Sequence, residues 1–117
     1  MRTRTIEIGG KEYYIAHSVS VPMGIKERGL NIADLKEHPT DELIFAILAE
    51  QLRAGYEWAK LSGKVDVNEP PAEKALTYLL GTDDLAALVP AILEVITGVR
   101  YVEAEPEKKT RARASAG

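Results

Sequence analysis

Residues 5–15 read TIEIGGKEYYI, two short β-prone segments on either side of a Gly-Gly pair. A two-residue loop of type I′ or II′ needs positive φ, which glycine adopts without steric cost. This loop predicts an antiparallel hairpin that pairs Ile8 with Lys11 and Ile6 with Tyr13. Its apolar face then consists of Ile6, Ile8, Tyr13 and Ile15. Because an isolated hairpin is at best marginally stable in water, this face requires a cover from elsewhere in the chain.

The longest helical pattern follows, over residues 41–61. Thr40 is a favourable N-cap and Gly63 a favourable stop. At about 100° per residue, the apolar side chains of this segment span an arc of roughly 200°, wider than the roughly 100° of an ordinary surface helix. Such a helix either lies deep in the core or serves two surfaces. We expect the hairpin to pack on it.

Shorter helical patterns complete the chain. One is predicted to begin at Pro22 after a Ser20 cap and to end at Gly29, and a turn follows from Asp34. Pro71 can begin a further helix, in which Leu76, Leu79 and Leu80 are expected to face inward.

The last predicted helix begins after a Thr82 cap and ends at Gly98, with an expected kink near Ala86 caused by Pro90. The pattern as a whole predicts an α+β fold, mainly α-helical, with an N-terminal β-hairpin packed on a small bundle of about four helices. Residues 1–98 form the predicted globular domain, and residues 99–117 a flexible basic C-terminal tail.

Composition narrows the class of protein. The 117 residues carry a net charge of −3 and no cysteine, so disulfides and thiolate chemistry are excluded. Residues 107–117 carry +3 and the remainder −6. No apolar run approaches the ~20 residues of a membrane span, and no signal peptide is visible, so we expect a cytoplasmic protein.

Residues that could support catalysis are sparse. His17 and His38 stand apart, with no carboxylate at a metal-binding spacing. The acidic pairs at residues 41–42 and 83–84 fall at predicted helix N-termini, where compensation of the helix dipole explains them. No phosphate-binding glycine loop is present. The sequence therefore predicts neither an enzyme nor a metal or cofactor site.

The order of these segments carries a resemblance. The hairpin TIEIGGKEY (5–13), the turn NIADL (31–35), the long helix 43–61 and the helical pair AEKALTYLLGTDDLAALVPAILEVIT (72–97) resemble, in layout, the tail assembly chaperones of long-tailed bacteriophages. The resemblance covers roughly residues 5–98, and no single motif in it is diagnostic.

The resemblance implies a function without catalysis. Members of the family bind the tape measure protein, keep this long helical chain soluble, and are absent from the finished virion. They commonly self-associate, and many also exist as a longer, frameshifted form that recruits the tail tube protein. For this chain the resemblance implies the cytoplasm of a bacterial host, no membrane partner and no nucleic acid.

Apolar side chains in excess of what a hairpin can cover would supply the binding surface. The candidate contacts are Ile47 and Trp58 on the long helix, and Leu88 and Ile92 on the last helix. The alternative for Ile47 and Trp58 is that they complete the core.

Two other functions stay open from the sequence. One is a small nucleic-acid-associated regulator that uses the basic C-terminal tail, which predicts salt-dependent binding. The −6 charge of the remainder counts against it. The other is a small enzyme or ligand-binding domain, which would require a polar pocket that the sequence does not display.

Overall fold

The computed structural model describes residues 1–98, and the expected tail at 99–117 lies outside the described residues. The described part is one antiparallel hairpin followed by five helices, which confirms the α+β, mainly α-helical class. In chain order the elements are β1 (Thr3–Ile8), β2 (Lys11–Ala16), α1 (Ser20–Glu27), α2 (Asp34–Glu37), α3 (Asp41–Leu61), α4 (Glu73–Leu79) and α5 (Thr82–Thr97).

The hairpin has the register that the sequence predicts. Ile8 lies opposite Lys11 and Ile6 opposite Tyr13. Gly9 and Gly10 have φ of 60° and 83°, so the turn is of type I′. The four apolar side chains of the predicted face are all buried.

The hairpin lies across two helices, α3 and α5. Strand β2 packs closely on α3 at Gly55, where an added Cβ would collide with the backbone carbonyl of Tyr14. The Tyr14 ring meets Trp58 edge to face, with 5.6 Å between ring centres. On the other side, Arg4 of β1 forms an ion pair with Glu94 of α5 at 2.6 Å. The expectation that the hairpin packs on the long helix is confirmed, and α5 shares that role.

The ends of α3 match the sequence. Thr40 Oγ1 accepts a hydrogen bond of 3.1 Å from the backbone N–H of Leu43, as an N-cap does. Gly63 has a φ of 80°, the left-handed conformation in which glycine commonly ends a helix.

Other helix starts differ from the prediction by one or two residues. Helix α1 begins at Ser20, so Pro22 lies within the first turn, where its missing N–H breaks no helical bond. Helix α5 begins at Thr82 itself, and its N-cap is Gly81. The Gly81 N–H donates to Asp84 Oδ2 at 2.8 Å, so the side chain that makes the capping hydrogen bond at the start of α5 is that of Asp84 and not that of Thr82. Helix α4 begins at Glu73, two residues after Pro71.

Pro90 lies inside α5, which is assigned as one helix from Thr82 to Thr97. The carbonyl of Ala86 has no helical donor opposite Pro90. Because Ala86 is exposed, water can satisfy that carbonyl. The expected kink near Ala86 stays a prediction.

Arg28, at the end of α1, joins three helices. Its guanidinium donates two hydrogen bonds to Glu73 of α4, at 2.6 and 3.0 Å, and one of 3.0 Å to Glu50 of α3. The hydrogen bonds to Glu73, and after them the one to Glu50, raise the pKa of Arg28. Gly24 makes room for this cluster, because an added Cβ there would meet the Glu50 carboxylate.

In the described residues, 1–98, none of the helices has both the length and the apolar character needed to cross a membrane.

Candidate protein-binding surface

The four candidate contact residues separate into two pairs. Ile47 and Ile92 are 0% and 1% exposed, and both belong to the main core. They are unable to touch a partner while the fold is intact, so their proposed role is corrected. The physical reason is the position of α3, which is covered by β2, α1 and α5 at once. Its wide apolar arc therefore indicates a central helix, and for Ile47 the alternative of completing the core is right.

Trp58 is half-buried and lines a shallow groove of about 350 Å³ near the end of α3. We call it the Trp58 groove, and its lining residues are Met1, Ser18, Ser20, Arg53, Ala54, Glu57, Trp58 and Leu61. Leu61 is 87% exposed and contributes apolar surface to the groove. The Trp58 ring contacts the Tyr14 ring, so the aromatic wall of the groove is packed against β2, whereas its aliphatic wall at Leu61 is exposed.

Leu88 is half-buried and lines a second depression, between α4, α5 and the hairpin turn. This depression, of about 360 Å³, meets another of about 260 Å³ at Leu80, which lines both. We call the pair the α4–α5 groove. Its lining residues are Glu7, Ile8, Gly9, Asp41, Glu42, Phe45, Leu76, Thr77, Leu79, Leu80, Gly81, Thr82, Asp84, Leu85, Ala87 and Leu88.

The two grooves lie at opposite ends of the hairpin. Gly9 of the turn lines the α4–α5 groove, whereas Met1 and Ser18, beyond the two open ends of the strands, line the Trp58 groove. Strands of six residues separate these ends by about 20 Å. The Trp58 groove and the α4–α5 groove are therefore separate surfaces of the described residues.

Sequence reasoning missed several exposed apolar residues. Leu79, expected to face inward, is 50% exposed, and its neighbour Tyr78 is 82% exposed. The sequence carried no signal of this, because Leu76, Leu79 and Leu80 have the i, i+3, i+4 spacing of a single helical face. Helix α4 ends at Leu79, and Leu80 is already extended, with φ of −111° and ψ of 122°. Leu76 is the one fully buried residue of α4.

The grooves also differ in charge. The charged side chains that line the Trp58 groove are one of each sign, Arg53 and Glu57. In contrast, the ionisable residues that line the α4–α5 groove are all carboxylic acids: Glu7, Asp41, Glu42 and Asp84. Each of these four residues is exposed to solvent.

His17 lies after β2, near Arg2. Its burial, followed by the charge of Arg2, lowers its pKa. Its Nδ1 has no hydrogen-bond partner among the described residues, which also favours the neutral ring. His38 is exposed, and within residues 1–98 there is no group of three or more potential metal ligands.

Comparisons of the chain with protein-family models, with curated proteins and with solved structures found no match.

Proposed function

We propose that this chain is a tail assembly chaperone, which binds the tape measure protein, keeps it soluble during tail assembly and helps to recruit the tail tube protein. The order of hairpin and helices supports the proposal through the resemblance described above. The observation that carries it is the Trp58 groove, an apolar surface left over after the core is filled.

The physics of the groove suits a transient helical client. An amphipathic helix binds by placing a few large apolar side chains into such a groove. Covering one leucine-sized side chain contributes about 1.5–3 kcal/mol, and most of that gain is offset by the loss of translational and rotational freedom. A shallow groove with a few apolar contacts therefore binds each segment weakly. A long client needs many such weak contacts, which a polymerising tube protein can displace one by one.

The test is co-expression with a candidate tape measure protein, measuring the fraction of that client that stays soluble and co-purifies. Leu61→Glu places a charge in the groove without touching the core, because the side chain is almost fully exposed. Met23→Glu is the matched control, since Met23 is 61% exposed on α1 and does not line the groove. We expect the wild-type chain and Met23→Glu to keep the client soluble, and Leu61→Glu to lose at least half of that effect. A client that aggregates equally with all three contradicts the proposal.

Recruitment of the tail tube protein through a longer form is a separate part of the proposal. Expression of the intact gene region, followed by mass spectrometry of the products, is expected to reveal a minor product extended beyond residue 117. Pull-down of the tail tube protein by that product, and not by the short chain, is the expected result.

A further inference from the structure

The α4–α5 groove combines an apolar floor with an acidic rim. Leu79, Leu80 and Leu88 line its larger depression together with Glu7 and Asp84, and Asp41 and Glu42 line the smaller depression, which shares Leu80. We call the three leucines the floor and the four carboxylates, which come from three separate elements, the rim. Glu7 belongs to β1, Asp41 and Glu42 to α3, and Asp84 to α5. Their convergence is a product of the tertiary fold, since they lie up to 77 positions apart in the chain.

Helix dipoles account for only part of this negative charge. The N-termini of α3 and α5 both reach the groove, and each contributes roughly +0.5 of an elementary charge. Asp84 is further occupied by its hydrogen bond to the Gly81 N–H. Two helix ends together offset about one of the four negative charges. The rim therefore keeps a net negative charge. Glu7 lies on a strand, so no helix N-terminus of its own element offsets its charge.

We propose that the α4–α5 groove binds a basic amphipathic helical segment of a partner protein, with apolar side chains against Leu79, Leu80 and Leu88 and Lys or Arg side chains against the rim. Charge complementarity selects this partner chemistry. The inference rests on the proposed function in one respect, since it specifies the kind of client segment that this second surface would take.

Two other occupants fit less well. Residues 107–117 of the chain itself are basic, but their apolar side chains are limited to alanine. They offer nothing to fill a leucine-lined floor. A second copy of the described domain is disfavoured by charge, since residues 1–98 contain 10 Lys and Arg against 15 Asp and Glu.

The probe is a fluorescein-labelled amphipathic peptide with leucine on one face and lysine on the other, titrated with the full chain and followed by fluorescence anisotropy. Its counterpart has every lysine replaced by glutamate. We expect the lysine peptide to bind and the glutamate peptide to bind at least about tenfold more weakly, with the difference shrinking as salt is added. Equal binding of both peptides overturns the proposal.

Two sets of variants locate the binding. Leu79→Glu alters the floor at a half-exposed position. The triple variant Glu7→Gln, Asp41→Asn, Glu42→Gln alters only exposed rim charges and leaves the Asp84 cap intact. Each is expected to lower the affinity of the chain for the lysine peptide by about tenfold. The matched control removes the same number of charges at exposed sites outside the groove, Glu27→Gln, Glu37→Gln and Glu69→Gln. If this control weakens binding as much as the rim variant, attraction to the overall charge explains the result and the proposal is overturned.

The remaining outcomes identify other occupants. If the peptide binds only after Lys108, Lys109, Arg111 and Arg113 are changed to Gln, the groove belongs to the chain's own C-terminal segment and the proposal is overturned. Self-association that Leu79→Glu abolishes assigns the groove to a second copy and also overturns it. Peptide binding without any effect on client solubility supports this inference while contradicting the proposed function, so that the two fail separately.

Discussion

Helices α3 and α4 differ in how much of each is buried against the rest of the molecule. Helix α3 has 21 residues, of which ten are buried, and at Gly55 it contacts the backbone of β2 with no side chain between. Helix α4 has seven residues, and one of them, Leu76, is buried. Outside that residue, the ion pair of Glu73 with Arg28 connects α4 to the rest.

This difference suggests that α3 stabilises the fold, whereas α4 is available for binding. The contact between α3 and β2 is close-packed, so a change of one methyl group there should affect the whole domain. Helix α4 exposes Tyr78 and Leu79 beside a groove, and few apolar contacts hold it. Elements with few buried contacts open at low free energy. We therefore expect α3 and β2 to determine the stability of the fold, and α4 to adjust to a partner.

The largest expected effect is that of Gly55→Val. The new side chain would push the β2 backbone away from α3, and we expect a loss of about 3 kcal/mol or more in the free energy of unfolding. Gly24→Ala is the control, because its Cβ would meet only the flexible Glu50 side chain. We expect it to change stability by less than about 1 kcal/mol, since improved helix propensity offsets the displaced glutamate. Urea denaturation measures both, and equal losses would disprove the special closeness of the contact between α3 and β2.

Shortening the one buried side chain of α4 should have the next largest effect. Leu76→Ala removes its one buried anchor and should destabilise by about 2–3 kcal/mol, at the low end for leucine because the edge of the domain can relax. Leu79→Ala, three residues on, should fall within about 0.5 kcal/mol of wild type because that side chain is half-exposed. The same denaturation experiment compares them, and a large loss for Leu79→Ala would mean that α4 is packed more deeply than described.

A smaller effect tests the helix caps. Thr40→Ala removes the hydrogen bond to the Leu43 N–H and should cost about 1 kcal/mol. Thr82→Ala should be nearly neutral, within about 0.5 kcal/mol, because Gly81 is the N-cap of α5 and Asp84 satisfies its N–H. Thermal unfolding of the two variants is the measurement, and an equal shift in Tm would restore Thr82 to the capping role that the sequence suggested.

The smallest effect concerns pH at the open end of the hairpin. The pKa of His17 is lowered in the folded state, so the unfolded chain binds this proton first as the pH falls. The contribution of His17 to stability is therefore complete above its unfolded pKa of about 6.5, and it is lost as the pH falls from there through the folded pKa. Urea denaturation between pH 5 and 7.5 should show a weaker pH dependence for His17→Gln than for wild type. An unchanged pH dependence would assign it to other groups.

Local rules explain why much of the fold could be predicted. The Gly9–Gly10 turn determines the hairpin register, and alternation then assigns the buried face. The Thr40 cap and the Gly63 stop mark α3 to the residue. These features depend on hydrogen bonds and dihedral angles within a few positions of each other, which a sequence displays directly.

The candidate surface was less accessible to prediction. Trp58 and Leu88 do line grooves, whereas Ile47 and Ile92 are in the core. All four are large apolar residues on helices, and composition does not reveal how many sides of a helix are covered. Gln51 shows the converse, because a polar residue is fully buried, with its Nε2 3.4 Å from the carbonyl oxygen of Ile92.

By itself the sequence determined the hairpin, the ends of the long helix and the mainly helical class, because each follows from local backbone preferences and from apolar periodicity. Only the tertiary structure decided which apolar residues remain exposed and that four distant carboxylates line two depressions that meet at Leu80. The physical reason is that burial and electrostatic fields depend on distances between elements. Those distances are set by close contacts such as that of Gly55 with the backbone of β2, which periodicity does not encode.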